Sequence, residues 1–509
     1  MPGILFPANA KGDRSTTDFG KDVLTAAAEV LPGGDELCQA IKAEKDWRHK
    51  YPVHFMNLTE AQIQAETPKA LESFRAGLAK AASLEFEASD GLQGSTAGMR
   101  WSTQGSVGPL EKAMASPSGA SFDTATIKGT GSAAPFSVPF EYNDSVLQGE
   151  SLDAQLSAWS NYGCMEVDCQ TAIKAGAANP GSVKDRTFIV IGAGSELCPL
   201  RHLLQNGATV AALATRKAQR WEKLIEFARS TPGTLLLPVA AGSATDNDSN
   251  VAKAAGVDLM VDTPAVLQWV ERVIKETAGP VTVGTYLYVD GGANVCVTVA
   301  SDYIIQAAAK LAGKEKVSFA WLGSPATAHV VPVEMTEIHQ ELLSKASWWQ
   351  KMSLAANKPK TVAKADGSPS LLMNGLAIVQ GPNYAVAQHL RQWRAFLLHS
   401  DGFVVSTPMA PICRTESVIH NSTMKAALDG MYYLPPLEAF HPETAAALLY
   451  ALLVSDLAEA PPKLASPMDI FTRKSFHSGM WRCPFSFESA GTMLFLLGKV
   501  AGKDTPNKA

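Results

Sequence analysis

A chain of 509 residues with 46% hydrophobic and 18% charged residues has an ample core and length for roughly two to four domains, which excludes a disordered protein. A net charge of −5 with no Lys/Arg run argues against a nucleic-acid surface, and no apolar stretch reaches the ~20 residues of a membrane span. Seven cysteines, only Cys164 and Cys169 near each other, read as free thiols, and Met1–Leu24 shows no secretory or transit pattern, so the expected location is cytoplasmic.

Residues 1–180 read as a mostly helical region carrying little chemistry. Asn57-Leu58-Thr59 matches a glycosylation sequon, but without a secretory signal it reads as a helix start, with Thr59 capping and Gln62 answering three residues on. Leu71, Phe74, Leu78 and Ala81 recur at helical spacing within Pro68–Phe86. Gly91–Pro139 is rich in Gly, Ser and Thr and reads as loop. Ser151–Ala177 predicts a helix that ends at the turn Asn179-Pro180-Gly181.

From Arg186 the pattern becomes regular. Phe188–Ile191 is an apolar run of the length of a buried parallel strand. The turn Gly192-Ala193-Gly194-Ser195 follows it, then Leu197, Leu200, Leu203 and Leu204 at helical spacing, then Gly207 and a second strand, Thr209–Leu213. Such a βαβ unit points backbone N–H groups at an anion, usually a dinucleotide pyrophosphate; the alternative is a βαβ unit that binds nothing. Further strands are expected at Thr234–Val239, Val281–Val289, Val317–Leu322 and Gly402–Ser406. Helices are expected at Trp221–Ala228, Val266–Thr277, Asp302–Leu311 and Asn383–His399. Residues 330–380 interrupt the alternation with one helix, Glu337–Met352, and an exposed loop, Asn357–Ser370. Six strands separated by helices predict an α/β fold with a doubly wound parallel sheet, in the order 3-2-1-4-5-6, over residues 184–415. The helical regions 1–180 and 416–509 flank it.

Three places in this region resemble the short-chain dehydrogenase/reductase superfamily, whose fold is Rossmann-like. They are Gly192-Ala193-Gly194-Ser195; Asp290-Gly291-Gly292-Ala293-Asn294 after the fourth strand; and Tyr384–Leu390 followed by Phe403–Pro408. The resemblance implies a nucleotide-binding oxidoreductase acting on a small-molecule carbonyl or alcohol. Gly192, Gly194, Ser195, Gly291 and Gly292 would hold the cofactor. Tyr384 would donate the proton, Ser324 polarise the oxygen, and Gln388 contact the ribose. Arg216 ends the second strand, where a 2′-phosphate is read, so NADP is expected over NAD. The superfamily's covering segment corresponds to residues 412–440, a candidate lid, and its habit of association makes a homo-oligomer an expectation here. No nucleic acid or membrane partner is expected.

The chain departs from the superfamily pattern in three respects. Glu196 and Cys198 stand where it has glycines, and a carboxylate beside a pyrophosphate costs Coulomb energy unless it points away. Gln388 stands where it has a lysine that holds the ribose and acidifies the tyrosine, and a neutral amide supplies no charge. Ser324 lies sixty residues before Tyr384; Ser370 is nearer in sequence but sits in the expected loop. Each residue has a structural alternative: Tyr384 as a helix-start tyrosine, Arg216 as an exposed arginine, and His329, His339 and His389 as ordinary histidines without metal spacing. Trp348, Trp349 and Met352 either line an apolar pocket or pack on the sheet edge. Three functions stay open: an NADP-dependent oxidoreductase, a non-catalytic nucleotide-binding or interaction protein, and a non-redox isomerase or lyase.

Overall fold

Short, wholly apolar strands are stable only where both faces are covered, and the strand Thr187–Ile191 meets that condition with every residue buried. In a computed structural model of the chain, which describes residues 3–87, 92–93, 100–101, 107–115, 121–140 and 145–501, this strand lies inside a seven-stranded, mostly parallel sheet. We number the strands from it: first Thr187–Ile191, second Thr209–Leu213, third Thr234–Ala240, fourth Val281–Thr285, fifth Val317–Trp321 and sixth Val405–Ser406. Their order across the sheet is 6-5-4-1-2-3. Thr187 stands beside Thr209 on one side and Val281 on the other, all three strands parallel. The strand order therefore reverses between the first and fourth strands, the place where an open sheet of this order can bind a ligand beyond the carboxyl ends.

Alternate residues of the first strand feed opposite cores. Phe188 and Val190 join Leu203, Trp221, Ile225 and Tyr450 on one face. Ile189 and Ile191 join Trp269, Val299 and Phe396 on the other. Both faces are thus covered by helices. One of these, Gly292–Ala312, has the length and hydropathy to cross a membrane, but more than half of its most apolar window is packed inside the protein, against Thr263–Glu276 and Pro382–Ser400. It begins ten residues before the expected Asp302, because Val295–Ala300 is buried all round and so lacks a one-sided apolar period.

Several expectations are corrected. Residues 57–59 do not start a helix: they lie inside Trp47–Gln64, Thr59 is buried, and the Gln62 amide donates to Ser73 Oγ at 2.9 Å. The 91–139 stretch lies partly outside the described residues, but its segment Phe122–Lys128 is a strand, paired antiparallel with the third strand along its full length. The N-terminal region therefore completes the sheet. Residues 357–370 do not form a loop: Lys360–Ala363 and Pro369–Asn374 make a hairpin that pairs with Ala328–Val331 in a separate three-stranded sheet. Ser370 is a buried residue of that hairpin. Beyond the sheet, Pro442–Leu457 is buried on nearly every side and packs against Val167–Ala178.

Candidate functional site

The first, fourth and fifth strands lie side by side and parallel, and most of the candidate residues lie on the segments that follow their carboxyl ends. The fifth strand runs into Gly323, whose N–H donates to Pro408 O at 2.9 Å and so fixes the start of the next loop. Ser324 follows. Its hydroxyl accepts from the Ala326 N–H at 3.2 Å, and its carbonyl accepts from Thr327 Oγ1 at 3.0 Å. Thr327 in turn accepts from the Gln392 amide at 2.9 Å, which ties the loop to the Pro382–Ser400 helix. That helix starts at Gly381-Pro382, the favoured place for proline, and presents Tyr384 in its first turn.

Ser324 Oγ and the Tyr384 hydroxyl are 2.8 Å apart across sixty residues of sequence. The two proposed catalytic residues are therefore brought together. Gln388, one turn on, and Gln380, just before the helix, also act on the phenol. Burial pushes the Tyr384 phenol above its ordinary value, while the Ser324 bond, the charge of Arg391 and the two amides pull it down. The Tyr288 ring stands edge-on at 6.2 Å, and its hydroxyl donates to Asp290 at 2.9 Å; burial, reinforced by that carboxylate, pushes the Tyr288 phenol to about 12.

Sequence reasoning missed Arg391. Its Nη2 donates to Asn294 Oδ1 at 3.0 Å and to Thr298 Oγ1 at 2.9 Å, both on the Gly292–Ala312 helix. Its Nε is buried without a hydrogen-bond partner, and burial lowers the guanidinium to about 10. Among the described residues no carboxylate pairs with it. The signal was the spacing 384, 388, 391, which places all three on one helix face.

The glycine turn is tight. Gly192 has φ +91°, its N–H and that of Ala193 both bond Leu213 O, and a Cβ at Gly192 would stand 2.8 Å from Leu287 N. Ser195 closes the turn through its N–H to Gly192 O at 3.0 Å. The helix expected from Leu197 forms only at Leu200–Gln205, so its N-terminus does not directly follow the turn. Gly194 faces the Arg220 guanidinium, 3.0 Å from where a Cβ would lie. Gly291 has φ +64° and opens onto free space, whereas Gly292 packs against Phe6 and Thr16.

The Glu196 carboxylate accepts the Glu416 N–H at 2.9 Å. It thereby hooks the 412–440 segment to the turn. Arg414 and Asp429, 2.6 Å apart, brace that segment internally. Cys198 is buried, which pushes its thiol to about 12. Arg216 is not free to read a phosphate: its guanidinium pairs with the buried Asp262. Arg220, held by Thr215 Oγ1 at 2.8 Å, is the cation that faces the turn. Trp348 and Met352 are exposed at the surface, and Trp349 packs against the cluster of Leu354, Met431 and Leu494. His329 and His389 are buried and lowered to about 4, and His339 bonds Trp481 O at 2.6 Å. The cleft beyond the sixth strand, at Thr407 and Pro408, is lined by Lys474, whose charge is already met by Asp456 at 2.8 Å and Glu459 at 3.0 Å.

Compared with known proteins, the chain matches no family model, and no curated protein is significantly similar to it.

Proposed function

We propose that the chain is a divergent oxidoreductase on a doubly wound, Rossmann-like fold of the short-chain dehydrogenase/reductase type, reducing a carbonyl or oxidising an alcohol with NADP(H). One observation carries the reading: the 2.8 Å hydrogen bond between Ser324 and Tyr384 at the end of the fifth strand, beside the point where the winding direction reverses. A serine and tyrosine in contact beyond the sheet's carboxyl ends are a hydroxyl pair able to grip one substrate oxygen.

The donor set suits a nucleotide. The Gly192–Ser195 turn, Gly291 and the cation Arg220 face the same end of the sheet, and the Glu196 carboxylate is bonded to the Glu416 N–H. Those residues would hold the pyrophosphate and the 2′-phosphate, and the bound nicotinamide would supply or accept a hydride. Tyr384 delivers its phenolic proton to the substrate oxygen, and Ser324 donates a hydrogen bond that withdraws charge from that oxygen. Gln388 keeps the phenol oriented. Tyr288, half exposed and edge-on to Tyr384, offers an apolar wall to the substrate.

The test is fluorescence titration with NADPH and NADH, followed by NADPH oxidation with a panel of aldehydes and ketones. The reading expects binding of NADPH and a turnover that Tyr384→Phe abolishes. Binding without turnover in any variant transfers the proposal to a non-catalytic nucleotide-binding protein, which the loss of a lysine at 388 favours; no binding of either nucleotide removes both.

A further inference from the structure

We propose that Arg391 is the electrostatic positioning residue of this site, holding a positive charge against the Tyr384 phenol and stabilising the phenolate left when the proton departs. The proposal rests on the reading of Tyr384 as the acid and assigns to Arg391 a charge that position 388 lacks.

Three observations carry it. Tyr384, Gln388 and Arg391 share one face of the Pro382–Ser400 helix at i, i+4 and i+7. The Arg391 guanidinium is fixed rather than mobile, since Nη2 donates to both Asn294 Oδ1 and Thr298 Oγ1. Its charge is also unmatched: both acceptors are neutral, Nε is buried without a partner, and no carboxylate among the described residues pairs with it.

A merely structural role does not account for the charge. Two neutral acceptors on the neighbouring helix could be tied by a neutral glutamine amide, without placing a cation in a poorly solvated site. A partly buried charge with no carboxylate partner is held at a desolvation cost, and the anionic form of Tyr384 is the group on the same helix face that it would stabilise. The groups around Tyr384 are Ser324 Oγ, the Gln380 and Gln388 amides, Tyr288 with Asp290 behind it, and Arg391. Among the described residues Arg391 is the cation that acts on the phenol, while Arg48 lies against Gly381, at the start of the helix. Attraction runs both ways: Arg391 lowers the phenol, and the phenolate raises the guanidinium. In the step itself the Tyr384 O–H bond breaks, an O–H bond forms on the substrate oxygen, and the negative charge left on Tyr384 faces the guanidinium until solvent returns the proton.

The experiment places 3,5-difluorotyrosine at position 384, a phenol acid enough to titrate near neutral pH, and follows its ¹⁹F resonance against pH in the full chain. Arg391→Gln is expected to raise the midpoint by about one unit or more, in the range that a neighbouring charge produces, and Arg391→Lys to stay within about half a unit of the parent. If Arg391→Gln does not fold, the double variant Asn294→Ala with Thr298→Val, which frees the guanidinium, reads the same midpoint and is expected to raise it. A midpoint unmoved in the folded variant overturns the proposal. The titration needs neither nucleotide nor substrate. Failure to bind NADPH would therefore defeat the oxidoreductase reading while leaving this result standing, and the reverse outcome is equally distinguishable.

Discussion

Arg216 and Asp262 form an ion pair with Nη2 and Oδ2 2.6 Å apart and the aspartate side chain wholly buried. The pair closes the end of the second strand against the start of the Thr263–Glu276 helix, so the arginine that sequence position offers for phosphate reading is committed to the fold. Arg216→Ala leaves a buried carboxylate without its counter-charge and is expected to cost about 3 kcal/mol of stability, read by urea unfolding. It should not change the ratio of NADPH to NADH affinity. Arg220→Ala is expected to do the opposite: little loss of stability, and roughly a tenfold weakening of NADPH relative to NADH. Equal effects of Arg220→Ala on both nucleotides would remove it from the 2′-phosphate.

The two glycine turns should respond differently to a methyl group. Gly192 combines φ +91° with backbone atoms of 286 and 287 within 2.9 Å of a Cβ. Gly192→Ala therefore meets both strain and a steric barrier, and is expected to destabilise by several kcal/mol or to misfold. Gly291 has φ +64° but nothing within 4 Å, so Gly291→Ala faces the conformational cost alone, about 1 kcal/mol. Thermal melts of the two variants decide the matter; comparable losses would mean the contact at Leu287 is not maintained in solution.

Glu438 sets a pH dependence. It is buried beside Ala439 N–H and Arg414, and burial raises its carboxyl from 4.5 to about 8. In the unfolded chain it ionises near 4.5, whereas in the fold it keeps its proton to about 8. The unfolded state is thus favoured progressively as pH rises through that window, and stability falls. Glu438→Gln, neutral throughout, is expected to be more stable than the parent by about 1 kcal/mol at pH 5 and by about 3 kcal/mol at pH 7. Buried His329 and His389, both lowered to about 4, act in the opposite sense: they lose stability as pH falls from 6.5 toward 4. Unfolding curves of parent and Glu438→Gln from pH 5 to 8 separate the two trends, and a constant difference across that range would refute the assignment to Glu438.

How much could be read beforehand depended on which signal each residue carried. Phe188–Ile191 was legible because a strand covered on both faces leaves an unbroken apolar run, and the strand order followed from six such runs alternating with helices. Phe122–Lys128 was hidden because an edge strand needs only one apolar face. Its polar positions and Gly/Ser/Thr flanks resemble loop composition. The 360–374 hairpin was hidden by the same composition, although Asp366-Gly367, with φ +81° at the glycine, is a hairpin turn that could have announced it. Ser324 was legible as a strand end. Arg391 was not, because its importance depends on Asn294 and Thr298, which only the packing of two helices brings to it. Arg216 misled for the complementary reason: nothing in sequence shows that Asp262 lies against it.

The sharpest division falls at Tyr384 and Gln388. Tyr384→Phe removes one hydroxyl from a contact with Ser324, so the stability cost should stay near 1 kcal/mol, the usual net value of a hydrogen bond. If the phenol is the proton donor, the same change abolishes turnover, while Ser324→Ala lowers it by about 10- to 100-fold and leaves nucleotide affinity intact. A lysine at 388 could seem a restoration of the missing charge. With Arg391 supplying the positive charge, as proposed, a second cation one turn away meets like-charge repulsion and replaces an amide that acts on the phenol. Gln388→Lys is therefore expected to give no more turnover than the parent and to lose stability by about 1–3 kcal/mol. The pairing Gln388→Lys with Arg391→Gln moves the cation from one turn to the other and is expected to recover activity lost in Arg391→Gln alone. Steady-state NADPH oxidation across these four variants and the double variant decides it. A large gain from Gln388→Lys by itself would show that the phenol lacks a cation in the parent, and undiminished turnover in Tyr384→Phe would remove Tyr384 from the chemistry.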